Sequence, residues 1–222
     1  MGVLLERGAY RPLRRAPRLS LLISAIAASF LLENLALVLA GGRPKPFPTP
    51  AVLAGACHWG GLFIPRLSLI IPLVTAALLA LLFVMVYRTQ VGRAMRAVSQ
   101  DLDTASLMGV DVNRIIAFTF LVGSLLAGAG GVLWALKYPQ VNPLMGIMPG
   151  LKAFIAAVLG GIGNLAGAVL GGVLLGLMEV MLVALFPSWA GYRDALAFTL
   201  LIALLLVRPT GLLGESVGEE KL

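Results

Sequence analysis

The chain has 222 residues, 59% hydrophobic and only 12% charged, with a mean hydropathy of +0.98 and a formal net charge of +7. Soluble domains carry roughly twice that share of charge, because aqueous surface needs it and lipid-facing surface does not, so a bilayer is the main solvent here. A single Cys, Cys57, and a single His, His58, exclude an internal disulfide framework and a multi-histidine metal site.

Residues 1–18 carry Arg7, Arg11, Arg14, Arg15 and Arg18 ahead of the first apolar run, about 19–40, which only Glu33 interrupts. A span needs about 20 apolar residues. The basic leader and Ala25-Ile26-Ala27 fit a secretory signal loosely, but further apolar runs come after it, so a membrane protein remains even after cleavage. Met1-Gly2-Val3-Leu4-Leu5-Glu6 lacks the Ser/Thr of a myristoylation motif. The loop 41–66 is rich in Pro and Gly, and His58 beside Cys57 has no evident third partner there, so it reads as an incidental exterior residue.

The second span is expected at about 68–87, with Pro72 in its first turns, and the third at 115–136, wholly uncharged. From Ala153 to Tyr192 the only charge is Glu179. One straight helix of that length would measure about 60 Å, twice the bilayer core, so it should fold back. Gly160-Gly161-Ile162-Gly163-Asn164 is the obvious turn, giving arms at about 145–160 and 165–186. The first arm, interrupted by Pro149, Gly150 and Lys152, reads as a broken or re-entrant helix as readily as a clean span. A last run, about 190–207, ends at Arg208-Pro209. The expectation is an all-α, polytopic transmembrane helical bundle with about six membrane segments, forming one domain over residues 1–222. Lys/Arg counts place 1–18, 88–114 and Arg208 on the cytoplasmic side, the last only if the 145–160 arm crosses fully. The basic residues are then orientation anchors beside anionic lipid, and no nucleic acid is expected. Two small-residue stripes, Gly123/Ala127/Gly131 and Gly163/Gly167/Gly171 beside Ala168, Gly172 and Gly176, indicate close helix packing.

The informative segment is the basic loop 88–114. Ser99 is a plausible N-cap with Asp101 and Asp103 in the first turn, Gly109 a plausible stop, and Val98, Leu102, Ala105 and Met108 fall on one face. A helix of about nine residues is marginal alone in water and needs a surface to pack on. The bland reading is a solvated loop obeying the positive-inside rule. The sequence adds a resemblance. Gly92-Arg93-Ala94-Met95-Arg96-Ala97 followed by Ala105-Ser106-Leu107-Met108-Gly109-Val110 resembles the coupling loop of ABC-importer permeases, within the branched-chain amino acid permease family, LivH type. Glu6-Arg7-Gly8-Ala9-Tyr10-Arg11-Pro12-Leu13-Arg14 is similar to that type's basic segment. Gly150-Leu151-Lys152-Ala153-Phe154 through Gly160–Asn164 and Gly167–Gly172 resembles its Gly-rich hairpin, and Arg208-Pro209-Thr210-Gly211-Leu212-Leu213-Gly214-Glu215 its C-terminal end. The four matches stand in order over nearly the whole chain. Family members usually carry further hydrophobic segments before the Tyr10–Arg14 stretch, so Met1–Leu5 looks like the tail of a missing helix; a truncated gene model and a natural short form both fit.

The resemblance implies a membrane-spanning permease subunit in the bacterial plasma (inner) membrane. It implies pairing with a second, related permease, two ATPase subunits gripping the coupling helices, an extracytoplasmic solute-binding protein delivering the amino acid, and ATP-Mg on the ATPases rather than on this chain. By that resemblance the ATPase-coupling residues are Gly92, Arg93, Arg96, Ala97, Asp101, Leu102, Ala105, Met108 and Gly109. The absence of a Gly-x-x-x-x-Gly-Lys-Ser/Thr loop agrees with a separate ATPase, and there is neither a His-Glu-x-x-His nor a Gly-x-Ser-x-Gly motif, so no enzyme is expected. Candidate substrate-path residues are Glu179, Lys152, Gly161, Gly163 and Asn164. Charges inside a membrane are costly and often functional, and a broken helix exposes backbone dipoles to a zwitterion. Against this stand structural readings: a hydrogen-bonded carboxyl for Glu179 and for Glu33, which with Asn34 is placed in the bundle interior, a simple turn at Gly160–Gly163, and, for Lys152, snorkelling to the outer interface, preferred to meeting a substrate carboxylate or Glu179. Gly161-x-Gly163-x-x-Ala166 formally matches a dinucleotide fingerprint, but the stretch after Ala166 is too uniformly apolar for a βαβ helix. Other readings are an ABC permease for a sugar or urea, a truncated structural subunit without transport, and a secondary transporter.

Overall fold

The computed structural model describes residues 1–13, 16–48, 50, 53, 55–59, 62–161, 163–208 and 210–214. Arg14, Arg15, Ile162, Pro209 and Glu215, which entered the sequence readings, lie outside them. Most of the described chain is helical, and five of its helical stretches are long and apolar enough to cross a membrane: Ile23–Ala40, Arg66–Arg88, Val112–Lys137, Leu165–Leu185 and Pro187–Val207. The expected arm at 145–160 is the shorter helix Ile147–Gly160. At 14 residues it rises about 21 Å, short of the roughly 30 Å hydrocarbon core.

Packing divides the chain into two compact units, Met1–Leu144 and Met145–Leu222. The first opens with a short α1 (Gly2–Leu5) running into one π-helical stretch, Glu6–Tyr10, and then α2 (Arg18–Ala40). After α2 come β1 (Lys45–Pro46) and a small antiparallel hairpin of β2 (Ala56–Trp59) and β3 (Leu62–Pro65), with His58 paired to Phe63 across it. The unit continues with α3 (Arg66–Arg88), α4 (Gln90–Gln100), α5 (Leu102–Leu107), α6 (Val112–Lys137) and β4 (Gln140–Val141). The β1–β4 pair, Lys45 opposite Val141, ties the loop after α2 to the end of α6. Because α3 begins at Arg66, Pro72 falls in its second turn, and the Ser68 carbonyl loses its ladder donor.

α6 is the element on which α1, the π-helical stretch, α3, α4 and α5 pack. At its start Asp111 is the N-cap, accepting from the Arg114 amide at 3.2 Å. The expected stripe of Gly123 and Gly131 on this helix meets no heavy atom within 4 Å of an added Cβ, so it is an open face in the described residues rather than a packing seam.

The second unit is α7 (Ile147–Gly160), α8 (Leu165–Leu185), a short 3-10 helix at Pro187–Tyr192 and α9 (Arg193–Val207). Its core is Ile155, Leu159, Leu175 and Ala197, with Leu200, Leu201 and Leu204 of α9 packed against them. The second small-residue stripe does serve packing. A Cβ on Gly167 would overlap the Gly160 carbonyl, and one on Gly171 the Ala156 carbonyl, so the α7 and α8 backbones are in direct contact.

Candidate coupling surface and charged cluster

The basic loop holds two helices, not one. α4 is capped by Thr89, whose hydroxyl accepts from the Gly92 amide at 3.1 Å and donates to the Met85 carbonyl. Gly92 is buried because α4 doubles back on the end of α3; an added Cβ would overlap the Met85 and Val86 carbonyls. Among the expected coupling residues it is therefore a hinge-packing residue. Arg93 and Arg96 are exposed, Arg96 over the Tyr87 ring at 5.2 Å, and the exposed Ala97 ends the helix by accepting from the Asp101 amide at 3.2 Å.

Ser99, the expected cap of the second helix, sits inside α4 and donates to the Arg96 carbonyl at 2.7 Å. Asp101 is the cap. It takes an extended conformation, its Oδ1 accepts from the Asp103 amide at 2.9 Å and its Oδ2 from the Thr104 hydroxyl. An ionised carboxylate offers two acceptors where Ser offers one, and these bonds, the Thr104 hydroxyl first and then the Asp103 and Thr104 amides, hold the Asp101 carboxyl below the ordinary value of 3.8. α5 stops as expected at Gly109, whose φ of +81° suits a residue without a Cβ. The Gly109 amide bonds to Ser106 O at 3.0 Å and the Val110 amide to Ala105 O at 3.1 Å, the paired bonds of a Schellman stop.

The break at Asp101 splits the expected single face. Val98 on α4 and Ala105 on α5 are buried, while Leu102 and Met108 are exposed, Met108 at 81%. Leu107, not picked out from sequence, is the most exposed of them at 86%. Its signal was an apolar residue out of phase with Val98 and Ala105. The result is a short, doubly capped helix presenting Leu102, Leu107 and Met108, with Arg93, Arg96, Asp101 and Asp103 exposed on the same pair of helices.

In the second unit Lys152 of α7 does not snorkel. Its Nζ lies 2.8 Å from Glu179 Oε1 of α8 and 3.0 Å from Asp194 Oδ1 of α9. Two carboxylates within 3 Å hold the ammonium more strongly than a reach to the interface. Asp194 was missed from sequence, since nothing local signals a partner from a third helix. Gly161, Gly163 and Asn164 form the α7–α8 turn. Asn164 caps α8, accepting from the Gly167 amide at 3.0 Å, and donates to the Leu213 carbonyl at 2.9 Å. Leu212 and Leu213 amides bond the Leu159 and Gly160 carbonyls, each at 2.9 Å. The backbone acceptors at the end of α7 are thus taken by residues 212–213. Gly161, at φ +108°, lies against Gly214, where a Cβ would overlap backbone. Gly163 is exposed. On α2, Glu33 is half-buried, but Asn34 is exposed rather than interior and donates to its own helix at Phe30 O, 2.7 Å.

A family model described as branched-chain amino acid transport system / permease component matches residues 9–205. The high-affinity branched-chain amino acid transport system permease protein BraD of Pseudomonas aeruginosa is 43% identical over 99% of this chain and 72% of its own length. LivH of Escherichia coli K12, a permease protein of the same description, is 40% identical over 99% of this chain and 71% of its own. The autoinducer 2 import system permease protein LsrC of Klebsiella pneumoniae is 34% identical over 54% of this chain and 36% of its own. No solved structure matches the chain. With five helical stretches long and apolar enough to cross a membrane, a family match over residues 9–205, and likeness to BraD and LivH over 99% of its own length and 72% and 71% of theirs, this chain is a multi-pass membrane protein that belongs to the branched-chain amino acid transport permease family.

Proposed function

We propose that this chain is the membrane-spanning subunit of an ATP-driven importer of branched-chain amino acids, lying in the inner membrane. It works with a second permease, two ATPase subunits carrying ATP-Mg, and an external solute-binding protein. The observation that carries the reading is the Asp101-capped helix with Leu102, Leu107 and Met108 turned outward. An apolar tip on a short, rigid element is what a partner subunit grips when it transmits motion, and exposed apolar residues on a loop otherwise gain nothing from water. Arg93 and Arg96 add charge contacts at the rim. The likeness of BraD and LivH over 99% of the chain supports branched-chain amino acids as cargo. The likeness to LsrC favours another small solute, but over only 54% of the chain.

On this reading Lys152, Glu179 and Asp194 contribute to the substrate path. The cluster has two carboxylates to one ammonium, so it offers spare acceptor capacity to the ammonium of a zwitterion. Gly161 and Asn164 serve the hairpin and its contact with residues 212–214 instead.

The test is crosslinking in the assembled complex. Ala105 is buried, so the probe belongs at Leu107: L107C in a C57S background, labelled with benzophenone maleimide and irradiated, should be trapped with an ATPase subunit, since the photoactivated end needs no thiol on the partner. Labelling of L107C by an impermeant maleimide from outside the cell, with no ATPase adduct, overturns the coupling assignment. Uptake of labelled leucine, valine and a sugar by the same complex in proteoliposomes separates the cargo readings.

A further inference from the structure

The first unit holds a groove of about 480 Å³ between its N-terminal helical segment and the start of α6, and its two ends differ in chemistry. One end carries Arg7, Arg11 and Arg114; the other is apolar, with Val3, Phe118 and Leu121. The segment is fixed against α6. The Tyr10 and Phe120 ring centroids are 5.0 Å apart, and a Cβ on Gly2 would overlap Ser124 Oγ and the Phe120 carbonyl. The charged end therefore sits at the mouth of a membrane-crossing helix, and the apolar end runs along that helix toward its middle.

The charges leave an excess of cation. Glu6 and Asp111 also line the groove; Glu6 is buried and engaged within the protein, and Asp111 pairs with Arg114 Nε at 3.0 Å while that guanidinium stays 88% exposed. Arg7 and Arg11 are exposed. Guanidinium groups match phosphate oxygens in a bidentate fashion, and basic pockets beside membrane helices hold anionic headgroups. We infer that this groove is a binding site for an anionic phospholipid, its phosphate held by Arg7, Arg11 and Arg114 and one acyl chain laid along Val3, Phe118 and Leu121. A free phosphate would use only the charged end, and a zwitterionic lipid would bring its own cation to a site already rich in them. The assignment stands on the groove's polarity and is independent of the transported solute.

The experiment is lipid retention, followed by native mass spectrometry on the full chain purified with its accompanying subunits. Dioleoyl phosphatidylglycerol and dioleoyl phosphatidylcholine are added in turn. The wild type should retain phosphatidylglycerol selectively. R7Q/R11Q should bind it about 25-fold more weakly, at about fivefold per arginine, with phosphatidylcholine unchanged and the exposed control pair R43Q/K45Q within about twofold of wild type. Unchanged retention in R7Q/R11Q, or an equal loss in R43Q/K45Q, overturns the site. Displacement of the lipid by millimolar inorganic phosphate overturns the lipid as ligand. If R7Q/R11Q does not accumulate, L121W fills the apolar end and leaves the arginines in place; weakened phosphatidylglycerol retention supports the groove, and full retention overturns it.

Discussion

The loop helices α4–α5 and the α7–α8 hairpin both rest on glycines and an Asx cap, yet they use them in opposite ways. In α4–α5 the caps are local, Thr89, Asp101 and Gly109 each satisfying neighbours in sequence, and the apolar tip is left open. In the hairpin backbone meets backbone between two helices, and the turn is closed by residues 212–214 from much later in the chain. The first is an element stabilised alone so that its surface stays free. The second is an element whose surface is consumed by its own packing. Substitutions should therefore separate: in the hairpin they cost folding, and in the loop they cost coupling.

The largest effect is expected at Gly160. G160V places branched carbons where the Gly167 backbone lies, and should cost about 3 kcal/mol or more, read as loss of monodisperse protein by size exclusion and a lowered melting temperature. Next is the charged cluster. E179Q removes one of two carboxylates from Lys152, and should cost about 2 kcal/mol, less than breaking a fully buried pair because Asp194 remains. If the cluster also meets the substrate ammonium, E179Q should raise the KM for leucine uptake beyond what the lowered stability explains, while D194N should do so with less loss of stability. The comparison sharpens at Leu107. L107D should leave the melting temperature within the range of an ordinary surface substitution, about 0.5 kcal/mol, yet abolish substrate-stimulated ATP hydrolysis in the assembled complex. A large drop in stability for L107D would break the contrast between the two regions. The smallest effect is at Asp101. Its carboxyl is held low in the folded state, so its cap is fully present above pH 3.8 and is lost as pH falls through the lowered value. Protection of the Asp103 and Thr104 amides relative to their intrinsic exchange rates should fall in that acid range, and D101A should show the lower protection already at neutral pH.

The spans were readable because an uninterrupted apolar run has few other uses at this length, and 19–40, 68–87, 115–136 and 165–186 fall within two or three residues of the helices. The last run was legible in its α-helical part, but its candidate span also includes the Pro187–Tyr192 3-10 turn. Of the about six expected segments five are long enough to cross, and the arm whose crossing was left open is the short Ile147–Gly160, which has the composition of a span without its length. Loop chemistry was legible where it is local. Gly109 needed only its place after an apolar run, whereas Ser99 and Asp101 are both good caps two residues apart, and only the geometry selects the one with two acceptors. The β2–β3 hairpin escaped notice because Pro- and Gly-rich sequence reads as loop. Lys152 illustrates the other limit. Snorkelling is a property of one helix, but the ion pairs depend on two helices brought alongside, which no spacing within α7 encodes.

The tie between residues 212–213 and the end of α7 also bears on biogenesis. The Asn164–Leu213 bond spans 49 residues, so when α7 and α8 have already entered the bilayer its partner is still inside the ribosome. Until then the Leu159 and Gly160 carbonyls must be served by water or by the insertion machinery. A nascent chain arrested before Leu212 should therefore expose the Gly160–Asn164 turn to protease, and release of the final segment should close it.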